Sequence, residues 1–193
     1  MKDGGTFCES CINAKATCKP IVKICESKGS KEVSALAWSD VWGPAPVETL
    51  GGKQYYVTFT DDHSRLTYLC ALCQKSETFV AYQQFKAWLD QQLVVKVRML
   101  HSDWGGEYLG NEFVMYLKRQ GMAQRLTAHD MPQHNGIAEQ LNRTILKRVH
   151  VLLHASGQPK FLWGEAACHV VWLKNRMPTK VLDGLTPFEV AFG

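Results

Sequence analysis

The chain has 193 residues and a mass of 21.8 kDa, with 46% apolar and 21% charged residues, so it is long enough to bury the core of one domain. This composition excludes collagen-like, disordered and disulfide-scaffold proteins. The net charge of +4 is compatible with a nucleic-acid partner but does not require one.

The sequence shows no pattern for membrane insertion or secretion. No apolar run approaches the roughly 18 residues that span a bilayer, and residues 1–7 lack the apolar core of a signal peptide. We therefore expect no membrane partner and a reducing compartment. The seven cysteines are an odd number, which argues against a complete disulfide framework, so we expect free thiols.

The pattern of the chain changes at about residue 32. Residues 1–32 are polar and lysine-rich, with little apolar periodicity, so we expect an appendage or linker there. Residues 33–193 are regular. They predict strands over 33–41, 54–60, 65–74, 94–100 and 123–127, and helices over 77–92, 111–120, 137–155 and 160–175.

The order of these elements predicts an α/β fold. The first three strands are closely spaced and should form an antiparallel meander, whereas the later strands alternate with helices and should lie parallel. The simplest arrangement is a mixed five-stranded sheet flanked by helices, which is the ribonuclease-H-like fold. Strands one and four are neighbours in that sheet.

Three acidic residues occupy positions that suit an active site. Asp40 lies near the end of the first strand, Asp103 follows the fourth strand, and Glu139 lies in the first turn of the long helix. Three converging carboxylates repel each other unless a cation lies between them. Hard oxygen ligands suit two Mg²⁺ or Mn²⁺ ions, which can activate a nucleophilic oxygen and stabilise a leaving oxygen at phosphorus. The alternative is that these acids are merely exposed, or that the helix dipole favours Glu139.

The long helix combines an apolar face with a charged one. Its apolar residues share one arc and predict the core-facing side: Ile137, Leu141, Ile145, Val149 and Leu152. A second arc begins with the acid and continues with basic residues: Glu139, Arg143, Lys147, His150 and His154. Such a stripe would place DNA phosphates beside a metal site. A solvated face with a Glu–Arg pair one turn apart remains the alternative.

Positive charge is concentrated in the second half of the chain. Between Lys118 and Lys180 there are ten Lys or Arg and three acids, a net charge of +7. This asymmetry favours a polyanionic partner bound across that half.

Four motifs in order resemble the integrase of copia-type LTR retrotransposons, the catalytic core of the retroviral integrase superfamily within a Pol polyprotein. They are Trp38–Pro44 (WSDVWGP), Tyr56–Arg65 (YVTFTDDHSR), Leu100–Tyr108 (LHSDWGGEY) and Pro132–Thr144 (PQHNGIAEQLNRT). The ending Thr186–Glu189 (TPFE) also resembles the close of this family region. The 35 residues between Asp103 and Glu139 make the match specific, and it extends from Cys8 to Gly193.

The resemblance implies an activity. It implies that Asp40, Asp103 and Glu139 hold two Mg²⁺ or Mn²⁺ ions, that water trims the 3′ ends of the element's cDNA, and that the freed hydroxyls then attack target DNA. It places Asn135 and Gly136 in a flexible loop at the DNA, with Arg143 and Lys147 beyond it. It also implies a homo-multimer that acts on chromosomal DNA in the nucleus after a stage in cytoplasmic virus-like particles.

The resemblance also accounts for Cys8 and Cys11. Family members carry a His-His-Cys-Cys zinc module with both histidines upstream, whereas the first histidine here is His63. We therefore expect residues 1–32 to be the remnant of that module and its linker, with vestigial ligands and no bound zinc. The alternative is that Cys18 and Cys25 complete a site. Residues 33–193 would form the catalytic core with a C-terminal helical extension.

Other candidate ligands receive structural interpretations. Cys70 and Cys73 lie three apart in a predicted strand, so we expect buried thiols on opposite faces. His101 should be a neighbour of the strand end rather than a metal ligand. The family pattern gives Asp61 and Asp62 a structural role outside the triad.

Two positions depart from the family pattern. Trp104 stands where Asn is usual, and Gln140 stands where Arg is usual. Neither is a metal ligand, but both leave the activity of this copy open. A second hypothesis is therefore a catalytically silent nucleic-acid-binding fragment of a degraded or domesticated element. A nuclease acting on RNA–DNA hybrids is a third, which the sequence entering the long helix disfavours.

Overall fold

The structure is a computed structural model that describes residues 30, 32–93, 96–127 and 136–193. Its strands are β1 (Leu36–Trp42), β2 (Tyr55–Asp61), β3 (Thr67–Leu72), β4 (Met99–Ser102) and β5 (Ala123–Leu126). Its α-helices are α1 (Thr78–Gln92), α2 (Gly106–Leu109), α3 (Asn111–Arg119), α4 (Gly136–Ser156), α5 (Trp163–Asn175) and α6 (Pro187–Phe192). Short 3₁₀ turns cover Lys75–Glu77, Lys160–Leu162 and Lys180–Leu182.

The five strands form one mixed sheet in the order β3-β2-β1-β4-β5. The pairs β1–β2 and β2–β3 are antiparallel, and β1–β4 and β4–β5 are parallel. The predicted ribonuclease-H-like arrangement is therefore confirmed, including the adjacency of strands one and four. The predicted limits of the fourth strand were wrong, because the ladder forms over Met99–Ser102 and residues 96–98 precede it outside regular structure.

One face of the sheet is covered by α1, α2 and α3. Alternate residues of β1 and β2 point to this side, where they meet the apolar faces of the helices. Phe59 stacks on Phe85 of α1, with ring centroids 4.9 Å apart. The apolar side of α1 faces the sheet, where Tyr82, Phe85 and Leu89 are buried.

The opposite face is covered by α4 and α5. Trp42 stacks on Tyr56 at 5.1 Å, and Trp163 of α5 meets Trp42 edge-on at 5.7 Å. The Trp163 indole Nε1 donates to the carbonyl of Val47 at 2.8 Å, so its polar atom stays satisfied while the ring is buried. This aromatic cluster fixes how α4 and α5 lie across the sheet.

The end of α5 is tied to the start of β3 by side chains. Asn175 accepts from the backbone N–H of Thr67 at 3.0 Å and donates to its carbonyl at 2.7 Å. Lys174 Nζ donates to the carbonyl of Arg65 at 2.6 Å. Burial, together with the nearby charges of Arg65 and Arg148, lowers the pKa of Lys174 to about 8. The edge strand is thereby partly covered.

The two cysteines near β3 are free thiols. They are only partly buried, which corrects the expectation of fully buried side chains. Cys73 also lies just beyond the strand, since β3 ends at Leu72. The Cys70 Sγ is 3.7 Å from Gln84 Oε1, whereas the Cys73 Sγ is 3.9 Å from the carbonyl of Gly51.

Two further expectations concern the N-terminal appendage and membrane insertion. Cys8, Cys11, Cys18 and Cys25, and almost all of the proposed appendage 1–32, lie outside the described residues. Within the described ranges, no helix is both long and apolar enough to cross a bilayer.

Candidate active site

Asp40 lies on the sheet face that α4 covers. Side chains alternate along β1, so Asp40 shares its face with Trp38 and Trp42, whereas Ser39 points to the other side. Trp42 packs in the α4–α5 core. The carboxylate therefore lies between the sheet and the start of the long helix, where it is partly buried.

The strand register brings Asp103 beside Asp40. β1 and β4 run parallel, and Trp38 is paired with His101. Two residues beyond this pair, Asp40 is still in β1 and Asp103 directly follows the end of β4, so the two acids leave neighbouring strands that lie about 4.8 Å apart. One oxygen of Asp103 accepts a hydrogen bond from the backbone N–H of Gly105 at 3.0 Å. This bond turns the chain out of β4 and into α2.

Glu139 lies in the first turn of α4, with an exposed side chain. The charges of Asp103 and Glu139 both act on Asp40. Burial first, then the charge of Asp103, and more weakly that of Glu139, raise the pKa of Asp40 to about 6. The three acids predicted from the sequence thus share one electrostatic site.

The donor set of this site suits a hard divalent cation. Among the described residues, no group of three His, Cys, Asp or Glu is arranged closely enough to form a ready metal cage. Asp40 nevertheless experiences repulsion from two other carboxylates. A Mg²⁺ or Mn²⁺ ion would relieve that repulsion, because these ions prefer carboxylate oxygens and retain several waters.

Asn142 is a site residue that the sequence analysis missed. Its Nδ2 donates to Asp40 Oδ2 at 2.8 Å, and this bond works against the other effects by lowering the pKa of Asp40. In the expected core arc of α4, Ile145 and Val149 are confirmed as buried, but Ile137 and Leu141 are only partly buried. The buried residues are Ala138, Asn142, Ile145 and Val149. Their spacing of four, three and four residues was the available signal. It was overlooked because Asn is polar.

A buried tyrosine supports the site from the other face of the sheet. The Tyr108 hydroxyl of α2 lies 2.6 Å from Ser39 Oγ. Burial first, and also the charges of Asp40 and Asp103, raise the pKa of Tyr108 well above its usual value, whereas the hydrogen bond with Ser39 lowers it. The hydroxyl therefore stays protonated and holds α2 against β1 directly beneath the acids.

The structural roles expected for Asp61 and Asp62 are confirmed. Asp61 accepts from the backbone N–H groups of Ser34 and Ser64, both at 2.7 Å. Asp62 accepts from the Trp38 indole at 2.9 Å and from Arg65 at 3.2 Å. β2 runs antiparallel to β1, so these acids lie beside the start of β1, at the opposite end of the strands from Asp40.

His101 is a buried neighbour of the strand, as expected. Its ring lies 4.2 Å from that of Trp38, centroid to centroid. This packing fills the space between β1 and β4 behind the acids.

The charged stripe of α4 is exposed as predicted. Glu139, Arg143 and Lys147 follow one another at four-residue intervals, and all three side chains are exposed. Eight residues of helix extend about 12 Å, so the stripe leads from the acidic site along the helix surface. Gly136 begins α4. Asn135, the other residue expected at the DNA, lies outside the described residues.

Of the two unusual residues, Gln140 is exposed on α4. Trp104 is 49% exposed directly after Asp103, and its indole Nε1 donates to the carbonyl of Thr127. The indole therefore makes a polar contact of its own at the position where Asn is usual.

The sequence is similar to retrovirus-related Pol polyproteins of plant transposons. It is 41% identical over 155 residues, 80% of this chain, to that of transposon TNT 1-94 from Nicotiana tabacum. It is 33% identical over 156 residues (81% of the chain) to that of RE2, and 30% identical over 186 residues (96% of the chain) to that of RE1, both from Arabidopsis thaliana. The chain spans only 12%, 10% and 12% of these relatives, respectively. No protein-family model matches the chain.

Solved structures share the fold at low sequence identity. The HTLV-2 integrase catalytic core domain in complex with magnesium, in its trimeric form, is 17% identical with a TM-score of 0.62, over 82% of this chain and 96% of that one. A chain of the simian T-cell lymphotropic virus intasome, solved with a PP2A regulatory subunit, is 13% identical with a TM-score of 0.72. That match covers 96% of this chain and 63% of the other. The fold is thus that of retroviral integrase catalytic cores.

Proposed function

The chain belongs to the retrovirus-related Pol family of copia-type transposons, and we propose that it is the integrase catalytic core of such a polyprotein. Its reaction would be 3′-end processing of element cDNA and strand transfer into target DNA. One observation carries this proposal: the charges of Asp103 and Glu139 both raise the pKa of Asp40, at the carboxyl ends of two adjacent parallel strands.

Each of the three acids would hold the cations from a different element of the fold. Asp40 and Asp103 would hold the cations from the sheet edge, and Glu139 would close the site from the helix. The bound divalent ions would activate the attacking oxygen and stabilise the leaving oxygen of the phosphodiester. Asn142 would keep the Asp40 carboxylate oriented and ionised, since its amide donates to one of the two carboxylate oxygens.

The proposed partners are DNA and further copies of the chain. The exposed Arg143 and Lys147 would contact phosphates leading away from Glu139, and Gly136, the first residue of α4, would contact DNA together with Asn135, which precedes it in the sequence. The related structures include dimeric and trimeric forms of the HTLV-2 core and an intasome. Action on chromosomal DNA would place the protein in the nucleus, following a stage in cytoplasmic particles.

The test is a strand-joining and disintegration assay with labelled DNA and Mg²⁺ or Mn²⁺. Asp103→Asn and Glu139→Gln should each lower the rate by at least about 1,000-fold, because a metal-bound transition state is worth several kcal/mol. Asp90→Asn is a matched control, since Asp90 is exposed on α1 and pairs only with Lys86 among the described contacts. It should leave the rate unchanged.

The same assay separates the integrase from its main alternative. If the unmodified chain yields no product above the two variants, the enzymatic proposal fails. DNA binding that survives in that case would support a catalytically silent nucleic-acid-binding fragment. Equal cleavage of an RNA–DNA hybrid and a DNA end would instead point to a hybrid nuclease.

A further inference from the structure

The exposed indole of Trp104 is held in a fixed position beside the proposed active site. It is 49% exposed although it is a large aromatic side chain, and it directly follows Asp103. Its Nε1 donates to the backbone carbonyl of Thr127, just past the end of β5. The polar atom of the ring is thus engaged by the main chain, and about half of the side chain faces solvent.

The sheet topology determines where this indole lies. The strands β1, β4 and β5 are parallel and adjacent in that order, so their carboxyl ends share one edge. Asp40 lies near the end of β1, Asp103 follows β4, and Thr127 follows β5. The bond from Trp104 to Thr127 therefore carries the ring toward β5, on the side of Asp103 away from Asp40.

We infer that Trp104 is a stacking platform for one nucleobase of the DNA strand bound at Asp103, which rests on the function proposed above. A flat aromatic surface binds any base through its π-face, so stacking would fix the strand without requiring a particular sequence. Anchoring the ring in advance lowers the entropy lost on binding. The Asn usual at this position in the resembling family offers no comparable surface.

The experiment measures binding rather than joining. Fluorescence anisotropy would follow a labelled branched DNA, shaped like a joined product, in Ca²⁺, with a single abasic nucleotide moved along the strand. At one position the missing base should weaken binding to the unmodified chain by about 5- to 150-fold, the range for one base stacked on one aromatic ring. Trp104→Ala should bind intact DNA more weakly by a similar factor. An abasic nucleotide at that position should not weaken the binding of this variant any further.

Two further variants keep the test specific. Trp104→Phe lacks the Nε1 donor but retains a ring, so it should keep part of the abasic effect; a complete loss equal to that of Trp104→Ala overturns stacking. Trp172→Ala removes an indole of matching exposure, 51%, on α5, and should behave like the unmodified chain. Identical abasic profiles for Trp104→Ala and the unmodified chain also overturn the inference.

The outcomes distinguish this inference from the proposed function. An abasic effect that depends on Trp104 in a chain that joins no DNA supports stacking and defeats the enzymatic proposal. Normal strand joining by a chain whose abasic effect does not depend on Trp104 supports the enzymatic proposal and defeats the stacking inference. Absence of binding to intact DNA defeats both.

Discussion

The strand ends form two edges of the sheet, and each edge carries two aspartates. The surroundings of the two pairs differ. At one edge, Asp61 and Asp62 accept hydrogen bonds on all four of their oxygens, and Asp62 is also paired with Arg65. At the other edge, Asp40 receives one side-chain hydrogen bond and feels two like charges, which with burial raise its pKa to about 6. The protein itself supplies hydrogen-bond donors and a positive charge to the first pair of carboxylates. The negative charge of the second pair is not neutralised by any described side chain.

The two pairs of aspartates have different roles, as their hydrogen-bond partners show. Half of the hydrogen bonds to the Asp61 and Asp62 carboxylates come from residues 30–38 and half from Ser64 and Arg65, so these carboxylates tie the entry of the chain into β1 to the turn after β2. Asp40 and Asp103 make fewer such bonds: Asp40 accepts from the side chain of Asn142, and Asp103 accepts from the backbone N–H of Gly105. Their mutual repulsion is a cost that a divalent cation would remove, and this is how metal sites usually differ from structural carboxylates.

The sharpest test of this comparison removes one acid from each edge. Asp62→Ala should lower the free energy of unfolding by about 3 kcal/mol, because it leaves Arg65 and the buried Trp38 indole without their acceptor. Asp103→Ala, in a metal-free buffer, should change stability little or increase it, because it removes a charge that repels Asp40. Urea denaturation of both variants measures this.

The exposed Asp90→Ala provides the scale for a surface ion pair, with an expected loss below about 1 kcal/mol. Equal losses for Asp62→Ala and Asp103→Ala would remove the distinction between the two edges.

The second prediction concerns pH. Since the pKa of Asp40 is raised to about 6, the folded chain binds this proton more tightly than the unfolded chain does between about pH 4 and 6. The Asp40 contribution therefore lowers the free energy of unfolding as pH rises through that window, and the loss persists above it. Asp40→Asn should remove this pH dependence. At pH 7.5 its free energy of unfolding should be about 2 kcal/mol higher than that of the unmodified chain.

Denaturation curves from pH 4.5 to 7.5 with a chelator would measure this difference. Asn retains a carbonyl oxygen that can accept from Asn142, so the comparison isolates the charge. A difference between the two proteins that stays constant across the range would contradict the assignment of the raised pKa to Asp40.

The sequence predicted the sheet and the triad more accurately than the surroundings of the triad. Spacing of apolar segments was enough for the strand order, since short gaps enforce antiparallel neighbours and helices enforce parallel ones. The fourth strand was misplaced because Val94, Val95 and Val97 suggested it, whereas the ladder uses His101 and Ser102, polar residues buried by pairing. Burial of polar residues is decided by tertiary contacts, which no local pattern contains.

The contacts around the acids were invisible for the same reason. Asp40 and Asp62 look alike in the sequence, and only the strand directions place them at opposite edges. The anchoring of Trp104 by Thr127 joins residues 23 apart through the order of β4 and β5. Such pairs follow from the topology after it is known.

The smallest effect is expected at Asn142, the one side chain that donates to Asp40 among the described contacts. Asn142→Ala should raise the pKa of Asp40 above about 6, because the lost hydrogen bond favours the ionised form, and should cost about 1 kcal/mol of stability at neutral pH. Carboxyl NMR titration of metal-free protein would measure the pKa. Asn142→Asp should raise it further by adding a like charge. If the pKa of Asp40 stays constant or falls in Asn142→Ala, the hydrogen bond from Asn142 does not stabilise the ionised carboxylate, and the role given to Asn142 is wrong.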